Sequence, residues 1–195
     1  MRYPLRLSFK LVAINPQVSV TDADGELVLY VKQKAFRLRE AVTVFADREM
    51  ARPLYRYRAD RVIDFRALYH IEDAAGRPFG SLRSMGMKSI WRSRYEVEDA
   101  AGNVVFRIHE NNPWVKVADA FLSEVPVLGA LSGYLLHPAY TVSVADGTPA
   151  LLLTKQPAFW EGRFRLEEFV DLPPEGEVRG VLAVLMMVML ERARG

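Results

Sequence analysis

The sequence contains no cysteine. This absence excludes disulfide bonds, thiol nucleophiles and metal sites with cysteine ligands. Histidine is scarce too: the chain has three, and His70, His109 and His137 are too widely spaced for an H-x-x-x-H pattern. A phosphate-binding P-loop, a dinucleotide fingerprint and the G-x-S-x-G motif are also missing from the sequence. We therefore expect no enzymatic activity, no metal site and no cofactor.

Neither sign of charge dominates, because 26 Lys and Arg residues face 24 Asp and Glu residues, for a net charge of +2. This excess is too small to predict nucleic-acid binding. The N-terminus lacks the long apolar stretch of a signal peptide, since Lys10, Asn15 and Pro16 interrupt it. We expect a cytoplasmic protein, with a peripheral position at a membrane as the alternative. The length suits one domain, predicted to cover residues 1–195.

Long hydrophobic runs are absent except for one of ten residues, 181–190, near the C-terminus. A helix that spans a membrane needs about 20 such residues, so no transmembrane segment is predicted. The run contains Leu, Met and Ala, which favour a helix, and it has no polar face. A helix that is apolar all round is either enclosed by protein or held in a membrane. We predict enclosure, with docking outside the protein, in a dimer or on a bilayer, as the alternative.

An internal repeat is the strongest positive signal. Four stretches share a β-branched or aromatic run, a short turn with Asp and Gly, and a second apolar run. The stretches are "VSVTDADGELVLYV" (18–31), "YHIEDAAGRPFGSL" (69–82), "YEVEDAAGNVVFRI" (95–108) and "YTVSVADGTPALLL" (140–153). The turn glycines, predicted to adopt positive φ, are Gly25, Gly76, Gly102 and Gly147, and the aspartates expected to accept local hydrogen bonds are Asp24, Asp73, Asp99 and Asp146.

Alternation of side chains supports an antiparallel β-protein. In "LYRYRAD" (54–60), Tyr55 and Tyr57 are predicted to point to one face, and Arg56 and Arg58 to the other. Counting all such runs gives roughly a dozen strands, which suits a closed barrel. Inward aromatic side chains are expected at Phe36, Phe45, Tyr57, Phe65, Phe79, Trp91, Phe106 and Phe164. A helical insertion is predicted near residues 113–136, where apolar residues recur at helical spacing.

The repeated V-x-D-A-x-G hairpins and the stretch "YVKQKAFRLREAVTVFAD" (30–47) resemble the tubby-like superfamily. Within it, the similarity is to the branch of LURP-one-related proteins and phospholipid scramblases. The resemblance implies a twelve-stranded antiparallel barrel wrapped around a hydrophobic C-terminal helix. It also implies binding of phosphoinositide-like lipids at a basic barrel surface. The scramblase branch implies calcium-dependent lipid transport, but the sequence has no D-x-D-x-D-G calcium loop.

Pairs of basic residues at i and i+2 are the one pattern that suggests a binding site. On a strand, such residues lie on the same face. The predicted ligand-binding set is Lys32, Lys34, Arg37, Arg39, Arg56, Arg58, Arg92 and Arg94; Arg163 and Arg165 repeat the pattern. These pairs form either the solvated outer faces of barrel strands or a cationic patch for a phosphate or anionic head group.

Three functional hypotheses remain open from the sequence. The first is a non-enzymatic barrel that binds an anionic ligand, a phospholipid head group or a membrane surface. The second is a module for protein–protein interaction or scaffolding. The third is an enzyme in which His70, His109 or His137 meets a carboxylate in a pocket. We expect the first.

Overall fold

The computed structural model describes residues 1–10, 17–32, 41–60, 68–85, 94–111, 139–157 and 161–194, without the side chains of 161, 193 and 194. These residues form twelve strands and one long helix. The strands are β1 (Leu5–Lys10), β2 (Gln17–Thr21), β3 (Leu27–Lys32), β4 (Val42–Phe45), β5 (Pro53–Ala59), β6 (Leu68–Asp73), β7 (Pro78–Ser84), β8 (Arg94–Asp99), β9 (Val104–Glu110), β10 (Ala139–Val144), β11 (Pro149–Gln156) and β12 (Glu161–Glu168). The helix, α1, runs over Pro174–Arg194. The insertion predicted near 113–136 lies outside the described residues.

Each strand pairs antiparallel with its neighbours in the chain, and β1 pairs with β12. This last pairing closes the sheet into a barrel, with Leu5 opposite Leu166 and Phe9 opposite Gly162. Buried and exposed residues alternate along the strands, as in β1 and β8, because successive side chains point to opposite faces. The predicted antiparallel barrel of about twelve strands is confirmed.

The two ends of the barrel differ in their connections. The tight turns after β2, β4, β6, β8 and β10 all lie at one end, which we call the turn end. Because neighbouring strands are antiparallel, the segments 11–16, 33–40, 61–67, 86–93, 112–138 and 158–160 join strands at the other end, which we call the connection end.

The predicted glycine turns are confirmed, with φ between 80° and 96° at Gly25, Gly76, Gly102 and Gly147. Asp73 accepts hydrogen bonds from the N–H groups of Ala75 and Arg77. Asp99 accepts the equivalent bonds from the N–H groups two and four residues later, those of Ala101 and Asn103. The prediction for Asp24 is wrong. In that turn Asp22, three residues before the glycine, accepts the two bonds, and the Asp24 carboxylate pairs with Arg2.

Helix α1 lies inside the barrel. None of the ten residues 181–190 is more than 6% exposed. The Tyr57 hydroxyl on β5 donates to the Leu182 carbonyl at 2.8 Å, and a Cβ at Gly180 would stand 3.0 Å from Leu151 on β11. Contacts thus reach the helix from different sides of the ring. Enclosure by protein is confirmed, and the alternative of external docking is wrong.

The helix is longer than the apolar run that predicted it, because it begins at Pro174 with Glu175 and Glu177 in its first turn. Proline and acidic residues both favour a helix N-terminus. No helix among the described residues combines the length and the hydropathy that crossing a bilayer requires. Of the predicted inward aromatics, Tyr57, Phe106 and Phe164 are buried, Phe45 and Phe79 are half-buried, and Phe36, Phe65 and Trp91 lie outside the described residues.

We predict that Leu185→Asp abolishes soluble expression of the folded barrel. Leu185 is fully buried in α1, and an unpaired charge there costs several kcal/mol. The matched control is Phe169→Asp, since Phe169 is 57% exposed. Soluble yield and thermal melting measure the effect. A Leu185→Asp protein that melts like the control would show that α1 is not the core.

Acid sensitivity should follow from the turn aspartates. The backbone N–H of Arg77 lowers the pKa of Asp73, and the side chain and then the backbone N–H of Asn103 lower that of Asp99. A carboxyl with a lowered folded pKa adds stability above its unfolded pKa of about 3.9, and this is lost as the pH falls through the folded pKa.

Asp73→Ala/Asp99→Ala should therefore lower the melting temperature at neutral pH and flatten its decline below about pH 4. Melting curves across this pH range test the prediction. The control is Asp24→Ala, which removes a surface ion pair and no turn acceptor. Parallel curves for the double variant and the wild type would contradict the prediction.

Candidate anion-binding surface

The structure describes half of the predicted cationic set. Lys32 is the last residue of β3, Arg56 and Arg58 lie on β5, and Arg94 begins β8; all four side chains are exposed. The remaining members, Lys34, Arg37, Arg39 and Arg92, lie outside the described residues.

The barrel spreads the described members around its circumference. Arg56 and Arg58 share a strand face, but β4 separates them from Lys32, and β6 and β7 separate them from Arg94. Neighbouring strands are about 4.8 Å apart, so these separations are roughly 10 and 14 Å along the surface. Arg58 is also ion-paired with Glu72 at 3.1 Å, and Arg56 stands opposite Glu72 in register. A patch for the predicted pairs therefore stays a prediction.

Acidic partners similarly accompany other cations on this side of the barrel. Arg83 on β7 pairs with Glu98 at 3.1 Å, and Arg107 on β9 pairs with Glu96 at 3.5 Å. Both pairs join neighbouring strands: Arg107 stands directly opposite Glu96, whereas Arg83 reaches Glu98 diagonally across the ladder. On the outer face of β5–β9, Arg58, Arg83 and Arg107 are thus ion-paired with carboxylates of neighbouring strands.

The opposite side of the barrel has a different balance of positive and negative side chains. Where β1 meets β12, Arg6 stands directly opposite Arg165, and Arg163 stands opposite Ser8. Lys10 ends β1, and Lys32 lies two strands away with Gln17 between them. We call the outer surface formed by Arg6, Lys10, Lys32, Arg163 and Arg165 the basic face. All five of these side chains are exposed.

Ion pairing differs among the five members of the basic face. Arg165 pairs with Glu167 at 3.1 Å, and Glu161 stands opposite Lys10 in register. Among the side chains that the structure describes, Arg6, Lys10 and Lys32 form no ion pair. The adjoining outward positions of β2 and β11 are neutral and polar, namely Gln17, Ser19, Thr21, Thr154 and Gln156. Arg6, Lys10 and Lys32 can therefore accept an anion without displacing an ion-pair partner that the structure describes.

Arg6 and Lys10 were absent from the predicted set. Their signal was present in the alternation of "LRLSFK" (5–10), where every second residue is polar. Their importance depends on the pairing of β1 with β12, which places them beside Arg163 and Arg165. Spacing within one strand does not show this pairing.

The two described histidines do not form a catalytic pair with a carboxylate. His70 on β6 stands opposite Arg58, and His109 on β9 stands opposite Arg94. Burial, with a smaller contribution from the Arg94 charge, lowers the pKa of His109. His137 lies outside the described residues. Within the described ranges, no group of three His, Asp or Glu residues is arranged to hold a metal ion.

Comparison with known proteins agrees with this architecture. The sequence model of the LURP-one-related family matches residues 27–125, which is just over half of the chain. The chain belongs to the LURP-one-related family. A protein of known X-ray structure from Arabidopsis thaliana has a similar fold, with a TM-score of 0.50 at 12% identity; the match covers 95% of this chain and 91% of that one. No curated protein matches the sequence. The predicted resemblance to this family is confirmed, and the resemblance to scramblases stays a prediction.

Proposed function

We propose that this LURP-one-related barrel is a non-enzymatic protein of the cytoplasm that binds anionic phospholipid surfaces through its basic face. The observation that carries the proposal is the direct opposition of Arg6 and Arg165 across β1 and β12. The Cβ atoms of residues in this position are about 5 Å apart, and like charges on such residues destabilise a sheet by a fraction of a kcal/mol. A phosphate between them removes this repulsion and accepts hydrogen bonds from both guanidinium groups.

The surroundings of the arginine pair suit a phosphate. Ser8 and Thr21 lie beside Arg6, and Thr154 lies beside Arg165. Hydroxyl groups can donate further hydrogen bonds to phosphate oxygens. Lys10 and Lys32 extend the positive potential toward the connection end, so that several lipid head groups can be contacted at once.

The expected affinity is weak and reversible. A basic residue near an anionic membrane contributes about 1 kcal/mol. Four to five such residues correspond to a dissociation constant of roughly 0.2–1 mM. Because the contacts are exposed to solvent, salt should screen them strongly.

The proposal predicts that the protein sediments with phosphatidylcholine vesicles only when they also contain phosphatidylserine, and that salt releases it. Arg6→Gln/Arg165→Gln should weaken this binding about 30-fold, since two cations of about 1 kcal/mol each are lost. Folding of the variant is checked by circular dichroism.

Two double variants with the same change in charge serve as controls. Arg52→Gln/Arg77→Gln alters exposed arginines at the turn end, and Arg56→Gln/Arg58→Gln alters the predicted pair on β5. Both should bind like the wild type. Equal binding to both kinds of vesicle, binding to neither, or a larger loss in a control double than in Arg6→Gln/Arg165→Gln would each refute the proposal.

A further inference from the structure

A second arginine site lies inside the barrel, behind the connection-end edge of the basic face. Arg192, in the last turn of α1, places its guanidinium over the ring of Phe9 on β1, 4.9 Å from the ring centroid. The same group lies against the backbone of Gly162 on β12, where a Cβ atom would overlap with Nη1. Phe9 in turn packs edge-on against Phe164, with 5.7 Å between the centroids. Glycine at position 162 thus provides the space that this arginine occupies.

The guanidinium of Arg192 is incompletely satisfied. Its Nη1 atom is shielded from solvent and has no hydrogen-bond acceptor in the described part of the protein. Burial lowers the pKa of Arg192, but arginine keeps its proton at physiological pH. The adjacent carboxylate is engaged elsewhere, since the Tyr95 hydroxyl donates to Glu191. A shielded N–H of a half-buried cation is costly when it lacks an acceptor, and an anion would offset that cost.

Charges at this mouth of the barrel are divided between two sides. Lys155 on β11 stands opposite the inward Phe164, so its side chain is on the same side of the sheet as Arg192. The acidic groups lie toward β8–β10: Glu191 bonds with Tyr95, and Glu110 stands opposite Tyr140. Burial, followed by the charges of Glu110 and Glu191, raises the pKa of Tyr140. Among the side chains that the structure describes, those on the β1, β11 and β12 side of the mouth are therefore cationic.

We infer that Arg192 and Lys155 form an oxyanion site at the connection-end mouth, which takes a phosphate or carboxylate group. When the Arg192 side chain rotates away from Gly162, its unsatisfied N–H donates a hydrogen bond to an oxygen of the bound anion. Phe9 and Phe164 supply an apolar wall for the part of the ligand next to the anion. The anion can come from a lipid head group, in which case the inference rests on the proposed function, or from a free oxyanion.

Thermal melting of the full chain, with sodium chloride at equal ionic strength as the reference, tests the site. The probes are inorganic phosphate and monomeric dihexanoyl phosphatidic acid. At least one should raise the melting temperature of the wild type, because a ligand of the native state stabilises it. In Arg192→Gln the apparent affinity should fall about tenfold or more, as charge-assisted hydrogen bonds are lost. Stabilisation by the lipid alone would identify a head group as the ligand. Stabilisation by both probes would indicate a site for free oxyanions.

Two further variants keep the test decisive if Arg192→Gln folds poorly. Gly162→Ala retains every charge but displaces the guanidinium, and should change the apparent affinity for the probe. Lys155→Gln alters an exposed side chain and should weaken the apparent affinity for the probe. Arg52→Gln/Arg77→Gln, which alters exposed arginines at the turn end, should respond to phosphate like the wild type.

The inference is wrong if neither probe stabilises the wild type, or if Gly162→Ala and Lys155→Gln respond to the probes as the wild type does. It is also wrong if Arg52→Gln/Arg77→Gln loses the phosphate response. If the wild type does not bind vesicles but shows a phosphate response that depends on Arg192, the proposed membrane function is refuted and the Arg192 site is retained.

Discussion

A helix without a polar face must be surrounded by protein, and the rest of this structure depends on that requirement. Residues 181–190 present apolar side chains in every direction, and all are buried. One sheet or one neighbouring helix covers only one side of such a helix, whereas a closed ring of strands covers all of it. Close approach is achieved with small residues such as Gly180 beside Leu151. A few polar contacts, including that of Tyr57 with the Leu182 carbonyl, fix the position of the helix.

Because the interior is filled by the helix, binding is left to the outer surface and the two mouths. On the outer surface, cations that stabilise the sheet differ from cations that can bind a ligand in whether a carboxylate pairs with them. Arg58, Arg83 and Arg107 each form an ion pair with a carboxylate on a neighbouring strand. Arg6 faces another arginine. The same residue type thus stabilises the sheet on one side of the barrel, whereas on the other side Arg6 forms no ion pair with any side chain that the structure describes.

The sequence predicted the barrel well because its signals are local. Positive φ at the turn glycines and alternation along the strands are properties of a few successive residues. The helix was also predictable, since ten apolar residues leave few alternatives. The turn acceptor was harder: in "DADGE" (22–26) two aspartates compete, and Asp22 rather than Asp24 reaches the backbone N–H groups. The basic face could not be predicted, because it requires the first strand to meet the twelfth. The contact of Arg192 with Phe9 and Gly162 depends on the same closure.

The order of elements along the chain has a consequence for synthesis. The helix that fills the barrel follows all twelve strands, and the strand that closes the ring is the twelfth. Until residues 161–194 have been made, the inner faces of the earlier strands have no core to cover and β1 has an unpaired edge. Local hairpins can form while the chain grows, but the long-range contacts that reward them come last, which favours slow folding and transient aggregation. The cell must therefore keep an almost complete chain of apolar strands soluble until the helix arrives.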